Sequence, residues 1–201
     1  MRIIGLTGGV GAGKGTVAGL LRRRGAAILD ADEISRRLLS PGSPWVERVV
    51  QEFGSGLLRS DGSLDRSALA QIIFSDPEAR NRLNALLHPP VLAEITRRLE
   101  ELRGNASPPA VAVVVAPLLF ETGAEKLMEK VIVVIAPEQE RIRRLKKRDG
   151  LTEAEIRARF AAQLPPDQSR ARADWVIDNS GDLSETEWQV DNLCGELISS
   201  L

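Results

Sequence analysis

An α/β fold with a parallel sheet follows from three features of this 201-residue chain. The first forty residues read as strand, glycine-rich turn, helix and strand, a βαβ unit whose crossover is right-handed. Residues 111–116 and 131–136 are β-branched and nearly continuous, as strands buried on both faces are. Between these halves, residues 45–105 carry helical periodicity and no convincing strand, so a helical insertion interrupts the α/β core.

Each element has its own signals. Residues 3–6 form a short apolar run stopped by Thr7, Gly8 and Gly9, which suits a buried strand. From Lys14 the residues Val17, Leu20 and Leu21 fall at helical spacing, and Arg22, Arg23 and Arg24 precede Gly25. Basic residues followed by glycine mark a helix C-terminus. Residues 26–29 are a second strand ending at Asp30, Ala31 and Asp32, and the run Pro41, Gly42, Ser43, Pro44 breaks the chain. Further helices are expected over residues 65–74, 77–87 and 91–103, with His88, Pro89 and Pro90 kinking the chain between the last two. A very basic helix follows Pro137. Thr152 and Glu155 have the spacing of a capping box for another reaching about Gln163. A short strand at residues 175–177 and an amphipathic helix over 184–201 close the chain.

Composition removes several classes of function. One Cys and one His exclude an internal disulfide framework and a zinc site of the usual ligand types. Lys and Arg number 27 against 28 Asp and Glu, a net charge of −1, which argues against a whole-surface nucleic-acid binder. With three Trp, four Phe and no Tyr, a protein reading bases by stacking is not indicated either. The longest apolar run, residues 110–120, contains Pro117 and is too short to span a bilayer. No export signal is legible, so the expected compartment is the cytoplasm.

The chemistry begins at Gly8-Gly9-Val10-Gly11-Ala12-Gly13-Lys14-Gly15-Thr16. The spacing G-x-x-x-x-G-K between a strand and a helix is that of a phosphate-binding loop. Its glycines let backbone N–H groups turn toward an anion, the helix adds its positive end, and Lys14 reaches the outer phosphates. The usual pattern places Ser or Thr directly after the lysine to hold magnesium; here Gly15 stands there and Thr16 follows. Adenylate-kinase-like enzymes resemble this form. The magnesium ligands are therefore left unassigned.

Asp30 and Asp32 follow the second strand, at the edge of an open α/β sheet where ligands bind. A carboxylate there accepts a substrate hydroxyl's proton, or Asp32 simply caps the next helix; position alone leaves both open. Residues 141–172 hold ten Lys and Arg against four Asp and Glu, a local charge of +6 that a polyphosphate would relieve. Arg143, Arg144, Lys147 and Arg148 cluster there with no acidic residue between them. Cys194 reads as a structural thiol of the last helix.

The chain resembles the dephospho-CoA kinase family over nearly its whole length. The matching segments are Thr7 through Lys14, Asp30 through Arg36, Gly62 through Arg66, His88-Pro89, Pro117 through Glu121, Arg148 through Leu151 and Ile177 through Gly181. The resemblance implies a P-loop NTPase fold in three layers, with a five-stranded parallel sheet, a helical CoA-binding insertion and a lid. The implied divisions are a nucleotide-binding core (1–40, 106–137 and 173–201), an acceptor region (41–105) and a lid (138–172). The implied reaction is ATP-dependent phosphorylation of the ribose 3′-hydroxyl of dephospho-CoA with Mg2+, in a monomer or weak homo-oligomer that binds neither nucleic acid nor membrane. Catalytic roles fall to Asp32, Lys14 and Arg148. ATP binding falls to Gly9, Val10, Gly11, Ala12, Gly13, Lys14, Gly15, Thr16, Arg148 and Asn179, the last near the adenine. The acceptor is met by Asp32, Arg36, Arg66 and His88. Arg141, Arg157 and Arg159 are weaker lid candidates. The sequence departs from the family at Gly15, and at Val115, where many members have Asp. A nucleoside-monophosphate kinase shares the loop and the basic lid but gives no account of the Asp65-Arg66 and His88-Pro89 segments. A GTPase-type switch would need a guanine-reading Asn-Lys-x-Asp segment, which is absent from the sequence.

Overall fold

The computed structural model describes residues 1–199. In chain order the strands are β1 (Arg2–Gly8), β2 (Ala27–Asp30), β3 (Val111–Val115), β4 (Lys130–Ile135) and β5 (Trp175–Asp178). The helices are α1 (Lys14–Arg23), α2 (Ala31–Leu38), α3 (Pro44–Phe53), α4 (Arg66–Ser75), α5 (Pro77–Gly104), α6 (Glu138–Asp149), α7 (Glu153–Ala161), α8 (Pro166–Ala171) and α9 (Leu183–Ser199). The expected final helix thus matches α9 as far as Ser199; residues 200 and 201 lie outside the described residues.

The chain divides into two compact units, Met1–Asp30 with Leu99–Leu201, and Ala31–Arg98. The first holds a five-stranded sheet in the order β2-β3-β1-β4-β5, with every pairing parallel. β1 is central because it buries both faces: six of its seven residues are buried, and Ile4 and Leu6 are fully inaccessible. Val113, Val115, Ile132 and Val134 extend this layer, and Val17, Leu20, Leu21, Val190, Leu193 and Leu197 from α1 and α9 cover it. Full burial of each such side chain stabilises the fold by roughly 1.5–3 kcal/mol. Cys194 packs partly buried against this cluster, and burial pushes its thiol pKa up, which suits a structural thiol. From β1 the chain passes to β2 on one side of it, and from β3 it crosses to β4 on the other. The C-terminal end of β1 is therefore the switch point where open α/β sheets take ligands.

The second unit is helical, with one isolated antiparallel bridge, Leu58 to Leu64. Its core joins Leu39, Val46, Val49, Leu57, Leu64, Leu69, Leu83 and Leu87. Ser43 caps α3 through Trp45 N–H, with Pro44 at the first helical position. Asp65 caps α4 by accepting from Ser67 and Ala68 N–H.

One expectation about the helices is corrected. Helix α5 runs unbroken from Pro77 to Gly104 with Pro89 and Pro90 inside it, so no break separates two helices at His88. The prolines cannot donate to the carbonyls four residues earlier. The helix persists because Leu83, Leu87, Val91 and Ile95, one per turn, are all buried. Between α7 and β5 the chain forms a further short helix, α8, with Pro166 at its first position, where proline's missing N–H costs nothing.

Candidate active site

The glycine-rich loop spans the C-terminal end of β1 and the start of α1. Gly13 is the residue before α1 and adopts φ 103, with no side chain capping the helix. Thr16 and Val17 N–H donate to Gly13 O at 2.9 and 3.2 Å, the N–H groups ahead of them come before the first intrahelical bond, and no acidic residue stands in that turn. The loop is therefore an anion cradle reinforced by the helix dipole. Lys14 Nζ donates to the carbonyls of Gly8 at 2.7 Å and Gly9 at 3.3 Å, which carries its ammonium back across the loop.

Side chains far along the chain hold the loop from outside. Arg141 is 6% exposed; its Nε donates to Val10 O at 2.8 Å, and its guanidinium lies 4.0 Å from the Phe160 ring centroid. Burial lowers its pKa, but a guanidinium stays charged under all ordinary conditions. Arg144 donates to Asn179 O at 2.8 Å and to Ala12 O at 3.3 Å. The buried Asn179 carboxamide donates to Ala12 O at 2.8 Å and accepts from Thr186 Oγ1 at 3.0 Å. A Cβ on Gly13 would collide with Asn179 Nδ2, and one on Gly9 would meet the Arg141 guanidinium. Gln163 Oε1 accepts from Val10 N–H at 2.7 Å.

The basic cluster of α6 is not the unrelieved run that its sequence suggests. Glu140 accepts from Arg143 and from Arg144; these bonds, Arg143's first, hold its carboxyl down to about 2. Lys146 pairs with Glu153 at 3.0 Å and Arg148 with Asp149 at 2.7 Å. The acidic partners are Glu140 in the preceding turn, Asp149 at the end of α6 and Glu153 on α7, so reading only between the basic residues missed them. α7 starts at the expected capping box, formed by Thr152 and Glu155.

The structure places the remaining sequence candidates as follows. Asp32 is exposed and is the second residue of α2, just past the end of β2; being inside the helix, it is not the residue that caps it. Arg36 donates to Asp32 O at 3.1 Å. Arg66 donates to the carbonyls of Arg36 at 2.8 Å and Leu39 at 3.2 Å, closing the C-terminal end of α2 within the helical unit. His88 is half-buried in α5, and that burial lowers its pKa. The Arg148 side chain is 71% exposed beside Asp149, with its pKa raised by that hydrogen bond. Arg157 is paired with Glu153 and Glu138. Thr16 and Gly15 are exposed in the first turn of α1.

Asn179 therefore meets the loop directly, as a strut behind Ala12 and Gly13. Gln163 is the residue at this loop that sequence reading missed, and Arg144 entered it only as one of the basic cluster. Arg144 lies one helical turn before Arg148 and shares its face, a signal that was available. Gln163 had no local signal.

Among the described residues no group of three or more His, Cys, Asp or Glu side chains is placed to hold a metal ion. A Cβ on Gly15 has nothing within 4 Å, so a serine fits there. Gly15→Ser is expected to stabilise α1 by a few tenths of a kcal/mol and to lower the magnesium concentration needed for half-maximal ATP turnover. A magnesium titration of both proteins, with thermal unfolding alongside, checks it; an unchanged magnesium midpoint refutes the second half.

The sequence matches the dephospho-CoA kinase family over residues 2–185. It is 46% identical over 197 residues to the dephospho-CoA kinase of Anaeromyxobacter dehalogenans, covering 98% of this chain and 92% of that one. A crystal structure of a Thermus thermophilus protein is 39% identical with a TM-score of 0.79, covering 98% of this chain and 97% of the other. The dephospho-CoA kinase structure from Campylobacter jejuni is 26% identical with a TM-score of 0.70, covering 98% of each chain.

Proposed function

This chain belongs to the dephospho-CoA kinase family, and from that premise we infer how its residues divide the work of phosphorylating dephospho-CoA with ATP to give coenzyme A. The observation that carries the reading is the loop itself. Between β1 and α1 it combines a helix N-terminus, a left-handed Gly13 and the Lys14 ammonium, the parts that hold polyphosphate.

The loop backbone and Lys14 bind the β- and γ-phosphates of ATP. To do so, Lys14 exchanges its carbonyl partners for phosphate oxygens. Asp32 accepts the proton of the ribose 3′-hydroxyl as that oxygen forms its bond to the γ-phosphorus. The bond from the γ-phosphorus to the β–γ bridging oxygen breaks, and ADP leaves. Arg148 exchanges Asp149 for the transferring phosphoryl group, and Arg144 adds positive charge beside the loop. Residues 138–172 act as the lid that excludes water. Residues 41–105 take the acceptor, with Arg36, Arg66 and His88 facing it. Asn179 serves the nucleotide by holding the loop. Magnesium would enter as an ion carried by ATP, and the Thr16 hydroxyl is the one side-chain oxygen of the first helical turn that would hold it. When bound it neutralises the developing phosphate charge.

No described helix is long and apolar enough to cross a membrane, and the reading places the enzyme in the cytoplasm, as a monomer or weak homo-oligomer that binds no nucleic acid. The nucleoside-monophosphate kinase alternative is not favoured, because the family match includes the segments that alternative leaves without a role. A coupled assay of ADP release tests the assignment. Dephospho-CoA is expected to support turnover and AMP or CMP to support little; comparable rates with a monophosphate would overturn it.

A further inference from the structure

Val10, at the apex of the phosphate loop, has both of its peptide groups held by side chains. Its carbonyl accepts from Arg141 Nε at 2.8 Å, and its N–H donates to Gln163 Oε1 at 2.7 Å. Gln163 in turn donates from Nε2 to Pro117 O at 3.1 Å, the residue that opens the stretch after β3. The Val10 side chain packs against a small cluster of Ile142, Leu145 and Ile156 with Leu151 and Phe160, so the apex is seated on the α6–α7 pair. Next along the chain, Leu164 N–H donates to Glu121 Oε1 at 2.7 Å. One planar carboxamide thus joins the loop to the segment following β3 and to the end of α7.

We propose that Gln163 is a positioning residue for nucleotide binding: its carboxamide sets the loop apex in the shape that receives the phosphates and couples that shape to the placement of α7. The chemistry asks for glutamine. A carboxamide offers an acceptor to an N–H and, beside it, a donor to a carbonyl on one planar group, and asparagine is one methylene shorter. A loop that is not held must be ordered by the nucleotide itself, which weakens binding. Gln163 touches neither phosphate nor acceptor in this assignment; it acts through Val10.

The inference rests on the loop being the ATP site, so the test measures ATP binding apart from turnover. Titration of a non-hydrolysable ATP analogue into the wild-type protein, Gln163→Ala and Gln163→Glu is compared with the KM for dephospho-CoA of each. Loss of both hydrogen bonds in Gln163→Ala is expected to raise the Kd of the analogue roughly tenfold. The KM for dephospho-CoA should move less than twofold. Gln163→Glu keeps the acceptor for Val10 N–H and loses the donor to Pro117, so its Kd should lie between the other two. An unchanged Kd in Gln163→Ala overturns the proposal. So does an equal rise in both constants, with Gln163→Glu no better than Gln163→Ala, which is the mark of general loosening. If the wild type binds the analogue but fails to phosphorylate dephospho-CoA, the functional assignment fails while the Kd comparison still decides the role of Gln163.

Discussion

Replacing Asp32 with Asn should lower kcat by roughly 10²- to 10⁴-fold, the usual worth of a positioned general base, while the Kd for ATP changes little. The substitution is nearly isosteric and removes only the capacity to take the hydroxyl proton. Asp32 lies exposed in the first turn of α2, so no buried packing is lost, and the charge it contributes there is worth roughly 0.3–1 kcal/mol against the helix dipole. Glu33→Gln is the control. It stands in the same turn, pairs with Arg37, and removes the same charge without touching the reacting hydroxyl. Turnover in Glu33→Gln should match the wild type. Near-wild-type turnover in Asp32→Asn would show that the base is another group, with Asp30 at the end of β2 the next to test.

Gly13→Ala should cost about two orders of magnitude or more in kcat/KM for ATP. Two effects act at once. The position requires φ 103, which costs an L-residue roughly 1–2 kcal/mol. The added Cβ also falls on Asn179 Nδ2; that carboxamide is fixed at both ends, Nδ2 donating to Ala12 O and Oδ1 accepting from Thr186 Oγ1, and cannot swing away cheaply. The loop gives way, and a displacement of about 1 Å at a phosphate-binding backbone is worth roughly 10²-fold. Asn179→Ala removes the obstacle as well as the strut. The double variant Gly13→Ala, Asn179→Ala should therefore lose less than the product of the two single losses. Strict multiplicativity would show that the clash plays no part, since independent sites add in free energy.

Much of the molecule was legible before any coordinates. The strand, glycine turn and helix at the N-terminus are local signals, and they fold as the spacing says. The β-branched runs are strands buried on both faces, and the capping box at Thr152 and Glu155 starts α7 as expected. The readings that failed share a cause. The prolines of α5 were weighed as breakers without knowledge that one residue in every turn around them would be buried. The basic run of α6 looks unrelieved because its acidic partners flank it, at Glu140, at Asp149 and on α7.

By itself the sequence determined the phosphate loop and its reaction class, because a cradle of backbone N–H groups before a helix is built from consecutive residues and needs no distant partner. Only the tertiary structure decided what grips that loop. Arg141, Arg144, Gln163 and Asn179 reach it from more than a hundred residues away. Their hydrogen bonds exist because the parallel sheet brings the ends of β1, β4 and β5 together at one edge. Spacing along a chain carries no information about such contacts; they are set by which strands pair, and burial of the apolar faces decides that.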